Sequence, residues 1–314
     1  MKHIPVLLDE VLSHLNIKPG DVVVDATLGA GGYASVFAEA VAPGGTLIAI
    51  DRDKEAVQAF LERADQAAYW GLSEERTRII HGNYSNIREI LRDGGVDYTG
   101  AIAADLGISS DQLDDPDRGL RFDSETSLDM RLDRSEDTPS VRDMVNGWSE
   151  ERLAEVLFRN ADEKHSRKIA RKIKERRKES PIATAKELAE IVESAVPRKG
   201  RSIHPATKTF QALRMEVNRE LEHVERFLRE AIECLCPGGR LAVVSFHSGE
   251  DRLVKEVFAE YAKGCVCPPE FPVCRCGRLP SIRKVTGKPI RPSEEEIRKN
   301  PRSRSARLRV AEKV

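Results

Sequence analysis

Three aspartates carry the most chemistry in this chain. Asp25, Asp51 and Asp105 each close a short apolar run, VVVD, TLIAID and AIAAD. Such runs read as strands buried on both faces of a parallel sheet. Acids at their ends fall on the carboxyl edge, where open α/β sheets bind ligands. Gly29, Gly31 and Gly32, in DATLGAGG, follow the first acid. Glycines there let the backbone turn tightly and let a ligand lie against it with no Cβ in the way. Read as G-x-G-x-x-A (Gly29, Gly31, Ala34), the loop is compatible with a dinucleotide. Asp25 points the other way, because a carboxylate beside the loop repels a pyrophosphate and attracts a cation. S-adenosylmethionine (SAM), with its sulfonium and ammonium groups, is such a cation. Asp51, about 20 residues past the loop, suits the ribose hydroxyls of either ligand. A structural turn with Asp25 capping the next helix is the third reading.

The other candidates are more scattered. Tyr84 follows the third strand and can pack on an adenine or stand as an ordinary half-buried loop tyrosine. His247, after RLAVVSF, is either a polar group of the site or a hydrogen-bonded structural histidine. Cys265, Cys267, Cys274 and Cys276 form C-x-C-x6-C-x-C. Four thiolates make a tetrahedral zinc site, although C-x-C is tighter than the usual spacing, and free thiols in a proline-rich loop are the alternative. Lys164–Lys178 holds nine Lys or Arg against the single acid Glu175. Ile169 and Ile173 mark a thin apolar stripe there, so Arg167, Lys168, Arg171, Lys172 and Lys174 cannot all point inward. With almost no acid nearby, the stretch suits RNA phosphates as well as a plain solvated face.

The elements that must position these groups follow from periodicity. A helix over Val6–Leu15 leads to the Lys18-Pro19-Gly20 turn and the first strand. YASVFAEAVA reads as helix, then TLIAID as strand, Lys54–Ala67 as helix, Thr77–His81 as strand and AIAAD as the fourth strand. The alternation then stops. Gln112–Thr138 is acidic and irregular, and 140–200 is helical, with helices over Trp148–Asn160, Glu163–Lys178 and Thr184–Ala195. Apolar residues from Phe210 to Leu235 step by three or four, predicting one long amphipathic helix ended by Pro237-Gly238-Gly239. RLAVVSFHS is a fifth buried strand. Leu279–Val285 and Ala306–Ala311 read as two last strands forming an antiparallel edge. Residues 114–204 thus interrupt one doubly wound domain.

Composition bounds the class. The 314 residues are 40% hydrophobic and 33% charged, as in a soluble globular protein. No run approaches a membrane span, and MKHIPVLLDEVL lacks the form of a signal peptide. Six cysteines without a secretory signal suggest reduced thiols and a cytoplasmic location. The formal net charge of −1 hides segregation: Asp111–Asp137 holds ten acids against four bases, and Arg275–Arg309 twelve bases against three glutamates. A near-neutral chain so divided can still bind a polyanion.

Taken together, the motifs resemble the bacterial 16S rRNA (cytosine-N4)-methyltransferases nearly end to end. The resemblance runs through HIPVLLDEVL, DATLGAGG, AIDRD, DLGISSDQLD, LDMRLD, HPATKTFQALRMEVNREL, PGGRLAVVSFHSGEDRLVK and NPRSRSARLRVAE. It implies a Rossmann-like class I SAM methyltransferase sheet over 1–113 and 205–314, with an inserted helical, RNA-substrate domain at 114–204. It implies SAM as methyl donor, and N4 of a P-site (decoding-centre) cytidine in 16S rRNA, or in the small ribosomal subunit, as acceptor. The family's SAM contacts fall on Gly31, Gly32, Tyr33, Asp51, Tyr84, Asp105 and Gln112. Three positions depart from the family pattern: Tyr33 for a usual histidine, Ser127 for a proline, and Asn160-Ala161 for Tyr-Gly.

The N4 amine of cytosine is a poor nucleophile, because its lone pair is delocalised into the ring. An acceptor for its protons, placed in line with the sulfonium, is what the chemistry needs. DLGIS stands where amino-methyltransferases usually carry two prolines and an aromatic, so Asp105 or the backbone carbonyls after it are the candidates. Solvent can take the released proton. Two other classes share parts of the pattern. An NAD-dependent oxidoreductase shares the glycine loop and Asp51 but needs a second nucleotide-binding half. A non-catalytic RNA-binding protein accounts for the basic stretches but not for three acids at strand ends. Oligomeric state stays open.

Overall fold

The computed structural model describes residues 5–64, 76–196, 204–268 and 270–314. Its chain divides into two compact units, one of residues up to 107 together with 221–314, the other of residues 108–220. The expected insertion limits, 114 and 204, lie inside the second of these.

Unit one is built on a seven-stranded sheet: β1 Val22–Asp25, β2 Thr46–Asp51, β3 Thr77–His81, β4 Thr99–Asp105, β5 Leu235–Ser245, β6 Ile282–Lys284 and β7 Arg307–Lys313. The spatial order is β3-β2-β1-β4-β5-β7-β6. β1 to β5 are parallel, and β7 runs antiparallel between β5 and β6. The antiparallel edge read from the tail is therefore present. Strand alternation explains why the runs are apolar throughout. Val23, Leu47, Ala49, Ala101, Ala103, Ala242 and Val244 pack into one core, while Val24, Ile48, Ile50, Ile102, Ala104, Leu241 and Val243 pack into the other. Both faces of each strand are covered, as a parallel sheet requires.

The first face is covered by α1 Leu8–Leu15, α2 Gly32–Val41 and α3 Lys54–Ala64. The expected continuation of α3 to Ala67 lies outside the described residues. The second face is covered by α4 Ile87–Asp93 and by two later helices introduced below. The chain steps outward from β1 to β3 and then returns to place β4 on the other side of β1. That reversal opens the crevice where such sheets take ligands.

Unit two is helical: α5 Ser110–Asp114, α6 Val141–Gly147, α7 Glu150–Ala161, α8 Ser166–Arg176, α9 Ala185–Ala195 and α10 Thr207–Val217. Leu153, Leu157, Ile169, Ile173, Leu188, Val192, Phe210 and Leu213 form its separate core. The acidic stretch, 112–138, is held by a side chain from the far end of the unit. Asn218 accepts from the Leu132 amide (2.8 Å) and donates to the Met130 carbonyl (2.8 Å).

Asn218 also overturns one expectation. The long helix from Phe210 to Leu235 is two helices, α10 and α11 Glu220–Cys234, parted at Asn218 and Arg219. Arg219 is left-handed, with φ 50°. Asparagine side chains compete with helical hydrogen bonding, and here the amide is spent on the LDMRL segment. The break re-aims the apolar stripe: Phe210 and Leu213 serve the core of unit two, Val224, Phe227 and Ile232 that of unit one. α11 and α12 Ser248–Lys263 complete the second sheet face, and α13 Glu294–Lys299 precedes β7. Pro237-Gly238-Gly239 does not end α11, which stops at Cys234, but forms a bulge inside β5, whose register on β4 shifts between Thr99 and Ala101. Gly239 has to be glycine: a Cβ there would lie 2.9–3.0 Å from three carbonyl oxygens.

Candidate active site

The loop after β1 is stitched to both neighbouring strands. Ala26 donates to the Ala103 carbonyl (2.8 Å), and Leu28 to that of Ile50 (2.9 Å). The Gly29 amide donates to Asp51 Oδ2 (2.7 Å), and the Asp53 amide to Asp51 Oδ1 (2.8 Å). On the other side the Asp105 amide donates to Thr27 Oγ1 (2.7 Å). Gly31 caps α2 in a left-handed conformation (φ 81°), and a Cβ on Gly32 would collide with the Pro5 ring. Glycine is thus required twice, once for backbone angle and once for close approach.

This stitching draws the three strand-end acids into one electrostatic group. Asp25 is wholly buried; Oδ1 accepts from the Thr27 amide (3.1 Å), while Oδ2 has no hydrogen-bond partner among the described residues. Burial pushes its pKa up to about 7, opposed by the Thr27 amide and reinforced by Asp51. Burial also pushes Asp105 well above the carboxylate range, and Asp25, Glu250 and Glu296 add to it. Asp105 Oδ1 likewise lacks a partner among the described residues. Asp51 is raised by burial, with the Asp53 and Gly29 amides pulling it back. Such a group of carboxyls is matched to a cation, which favours their ionised forms.

The remaining predicted residues fall in three classes. Tyr84 begins a short 3-10 turn after β3, half-buried, its ring meeting the edge of Phe227 at 5.2 Å. Tyr33 is turned away: its ring is buried and stacked on Phe37, and its hydroxyl donates to the Val6 carbonyl. Position 33 therefore faces the loop with its main chain only. Gln112 belongs to unit two, where its Oε1 accepts from the Ser109 amide (3.0 Å) and closes the capping box of α5. His247 is a capping residue. Its Nδ1 accepts from the Glu250 amide (3.3 Å), and Nε2 lies 3.2 Å from Glu250 Oε1.

Sequence reasoning passed over two contributors. Thr27 orients the start of the segment after β4, and its only signal was its place in DATLGAGG. Glu296 of α13 accepts from the Leu7 amide (2.8 Å) and bears on Asp105. Nothing in its local EEE run pointed to a partner 289 positions away.

In unit two, Ile169, Ala170 and Ile173 bury the apolar stripe of α8. The expectation that its cations have almost no acid nearby is corrected. Glu150 of α7 lies 3.2 Å from Lys174 Nζ and 3.8 Å from Arg171 Nε, and Lys172 pairs with Glu175 at 2.8 Å. Helix packing brought in an acid from outside the basic run. Arg167 and Lys168 remain exposed, with no ion pair among the described residues. The same unit holds a cleft of about 740 Å3 lined by Phe122, Arg121, Lys186 and His204, with His204 stacked on Phe122 at 4.5 Å.

The strand order, with β7 antiparallel between β5 and β6, and the acid-lined edge define a Rossmann-like class I methyltransferase. The chain belongs to the MraW methylase family, which it matches over residues 1–314. It is 43% identical over 314 residues to the ribosomal RNA small subunit methyltransferase H of Brevibacillus brevis (99% of this chain, 98% of the relative). It is 46% identical over 316 residues to the protein of that name from Pelobacter propionicus (100% and 99%). Among solved structures it is similar to an rRNA methylase of Streptococcus thermophilus, at TM-score 0.42 and 12% identity over 98% of this chain and 92% of that one. Among the described residues, no helix is long and apolar enough to cross a membrane.

Proposed function

We propose that this protein transfers the methyl group of SAM to N4 of a P-site cytidine in the 16S rRNA of the small ribosomal subunit. The observation that carries the reading is the group of three strand-end carboxyls, Asp25 buried and Asp51 and Asp105 half-buried, gathered around one glycine loop. The curated relatives, named as small-subunit rRNA methyltransferases, support the choice of RNA. SAM supplies a methyl group on a sulfonium. Asp25 and Asp105, each with an unpartnered buried oxygen, fit a cation, and Asp51 fits a ribose. Each Asp51 oxygen accepts one backbone amide and keeps lone pairs for a diol. Tyr84, half-buried after β3, is the ring assigned to the adenine.

Asp105 has a second part. As an anion it accepts a proton of the N4 amine and raises electron density on that nitrogen. Burial and its neighbouring acids disfavour the anion, so Asp105 becomes a useful acceptor only with positive charge opposite it. Solvent takes the proton afterwards. In unit two, α8 provides the basic surface for RNA, led by Arg167 and Lys168 and backed by Arg171, Lys172 and Lys174.

An NAD-dependent reading fares worse, because β5 leads into an antiparallel pair and not into a second parallel mononucleotide half. Mass mapping of methylated nucleotides on small-subunit RNA, from cells with and without this gene, tests the proposal. Loss of one N4-methylcytidine at the decoding centre is the expected result. An unchanged map, or loss at a different base, refutes it.

A further inference from the structure

The tail holds a chemical group that methyl transfer does not use. Between α12 and β6, the chain runs through Cys265, Cys267, Cys274 and Cys276, all in the thiol form. The four sulfurs converge. Cys265 and Cys274 are 3.4 Å apart, Cys274 and Cys276 3.5 Å, Cys276 and Cys265 3.8 Å, and all four lie within 4.8 Å of one another. Four sulfurs at a Zn–S bond length of about 2.3 Å form a tetrahedron with edges of roughly 3.8 Å.

Nothing apolar accounts for the convergence. Val266, Phe271, Val273 and Leu279 are all exposed, so the segment has no apolar core of its own. The backbone turns instead toward sulfur. The Arg275 amide donates to Cys267 Sγ (3.3 Å), the Cys267 amide to Cys265, and the Val266 and Arg278 amides to Cys276. Amides aimed at ligand sulfurs are the outer-shell support that thiolate metal sites use to hold their ligands. Four thiolates around a divalent ion leave two negative charges, and Arg275 and Arg278 stand in the same segment.

We propose that Cys265, Cys267, Cys274 and Cys276 bind one zinc ion as a closed, structural site. Thiolate softness selects zinc over calcium or magnesium. Four protein ligands leave no position for water, so the ion holds the segment and takes no part in methyl transfer. Binding releases the thiol protons to solvent and needs no oxidant.

The test uses the full chain, purified under reducing conditions without added metal. Elemental analysis should find about one zinc per chain, and the Cys274→Ser, Cys276→Ser double variant should hold less than about a tenth of that. SAM binding of the double variant, expected unchanged, reports that unit one is folded. A readout independent of any variant is cobalt(II) added to the metal-stripped wild type. It should give thiolate-to-cobalt charge-transfer absorption and the visible bands of a tetrahedral site. Absence of zinc together with absence of that spectrum overturns the proposal. So do iron in place of zinc, disulfides among the four cysteines in the reduced preparation, or equal zinc in the wild type and the double variant.

Discussion

Asp25→Asn should change how the fold's stability depends on pH, and by an amount the structure sets. The Asp25 pKa is raised to about 7 by burial, from an ordinary value of 3.8. Between those values the folded chain holds a proton that the unfolded chain has lost. Stability from this group is therefore complete below about pH 4 and is lost as pH rises through about 7. Over pH 5 to 8 the loss amounts to about 2.5 kcal/mol, at 1.36 kcal/mol per pKa unit. Asparagine keeps an oxygen for the Thr27 amide and puts a neutral NH2 at the position of the partnerless Oδ2. It mimics the protonated acid and does not titrate.

The assay is urea unfolding of both proteins without SAM, at intervals from pH 5 to 8, followed by far-UV circular dichroism. Every other titratable group is common to both proteins, so the difference between the curves isolates Asp25 and its coupling to Asp51 and Asp105. Wild type should lose about 2.5 kcal/mol relative to the variant from pH 5 to 8. A difference that stays flat to within about 0.5 kcal/mol shows that Asp25 is ionised throughout, and the reasoning about the buried acid group fails with it.

Two further outcomes follow from the same geometry. Asp51→Ala should weaken SAM binding by roughly 1.5–3 kcal/mol, the range for hydrogen bonds to a charged group; unchanged affinity by calorimetry removes the ribose assignment. On α8, Arg167→Gln with Lys168→Gln should weaken RNA binding and flatten the slope of log affinity against log salt by roughly 0.7–0.9 per lost contact, with SAM affinity unchanged. Arg171→Gln, Lys172→Gln and Lys174→Gln should do less for three charges removed, because Glu150 and Glu175 already neutralise part of them. Salt dependence of the first pair that overlays the wild type's removes α8 from the RNA interface.

What was legible in the sequence was what short-range physics controls. The β-branched and alanine-rich runs had to be strands covered on both faces, and their acids had to fall at the carboxyl edge. What was not legible depended on long-range partners. Asn218 breaks the α10–α11 helix because its amide is spent on Leu132 and Met130, 86 and 88 positions away. The apolar spacing of three and four continued across the break, so periodicity alone ran straight through it. Tyr33 sits in the glycine loop's helix yet points into the core, since its hydroxyl finds the Val6 carbonyl. The cations of α8 looked unbalanced because Glu150 is 24 positions from Lys174 and packs beside it only once α7 and α8 fold. Zinc ligation was open for the same reason, since spacing alone does not say whether four sulfurs meet.

On the proposed assignment of Asp25 and Asp105 to the sulfonium, the acid group also bears on how the site tells the donor from its product. Burial raises the pKa of both Asp25 and Asp105, with Asp51 adding to the first and Asp25 to the second, so without a cation the group stays partly protonated and repulsion is relieved by holding protons. A positive ligand favours the ionised pair, and its binding at neutral pH releases protons to buffer. Transfer of the methyl group converts a sulfonium to a neutral thioether and removes that positive charge from the site. The carboxyls then face one another again with less opposite charge between them, so the demethylated product should bind more weakly than SAM, and equal affinities by calorimetry would refute this. Burial that costs the empty fold stability thus biases the site toward the charged donor and against its product. The bias belongs to the placement of Asp25 and Asp105 on adjacent strands β1 and β4, and it would vanish if either acid stood in water, where opposite charges a few ångströms apart gain only about 1 kcal/mol.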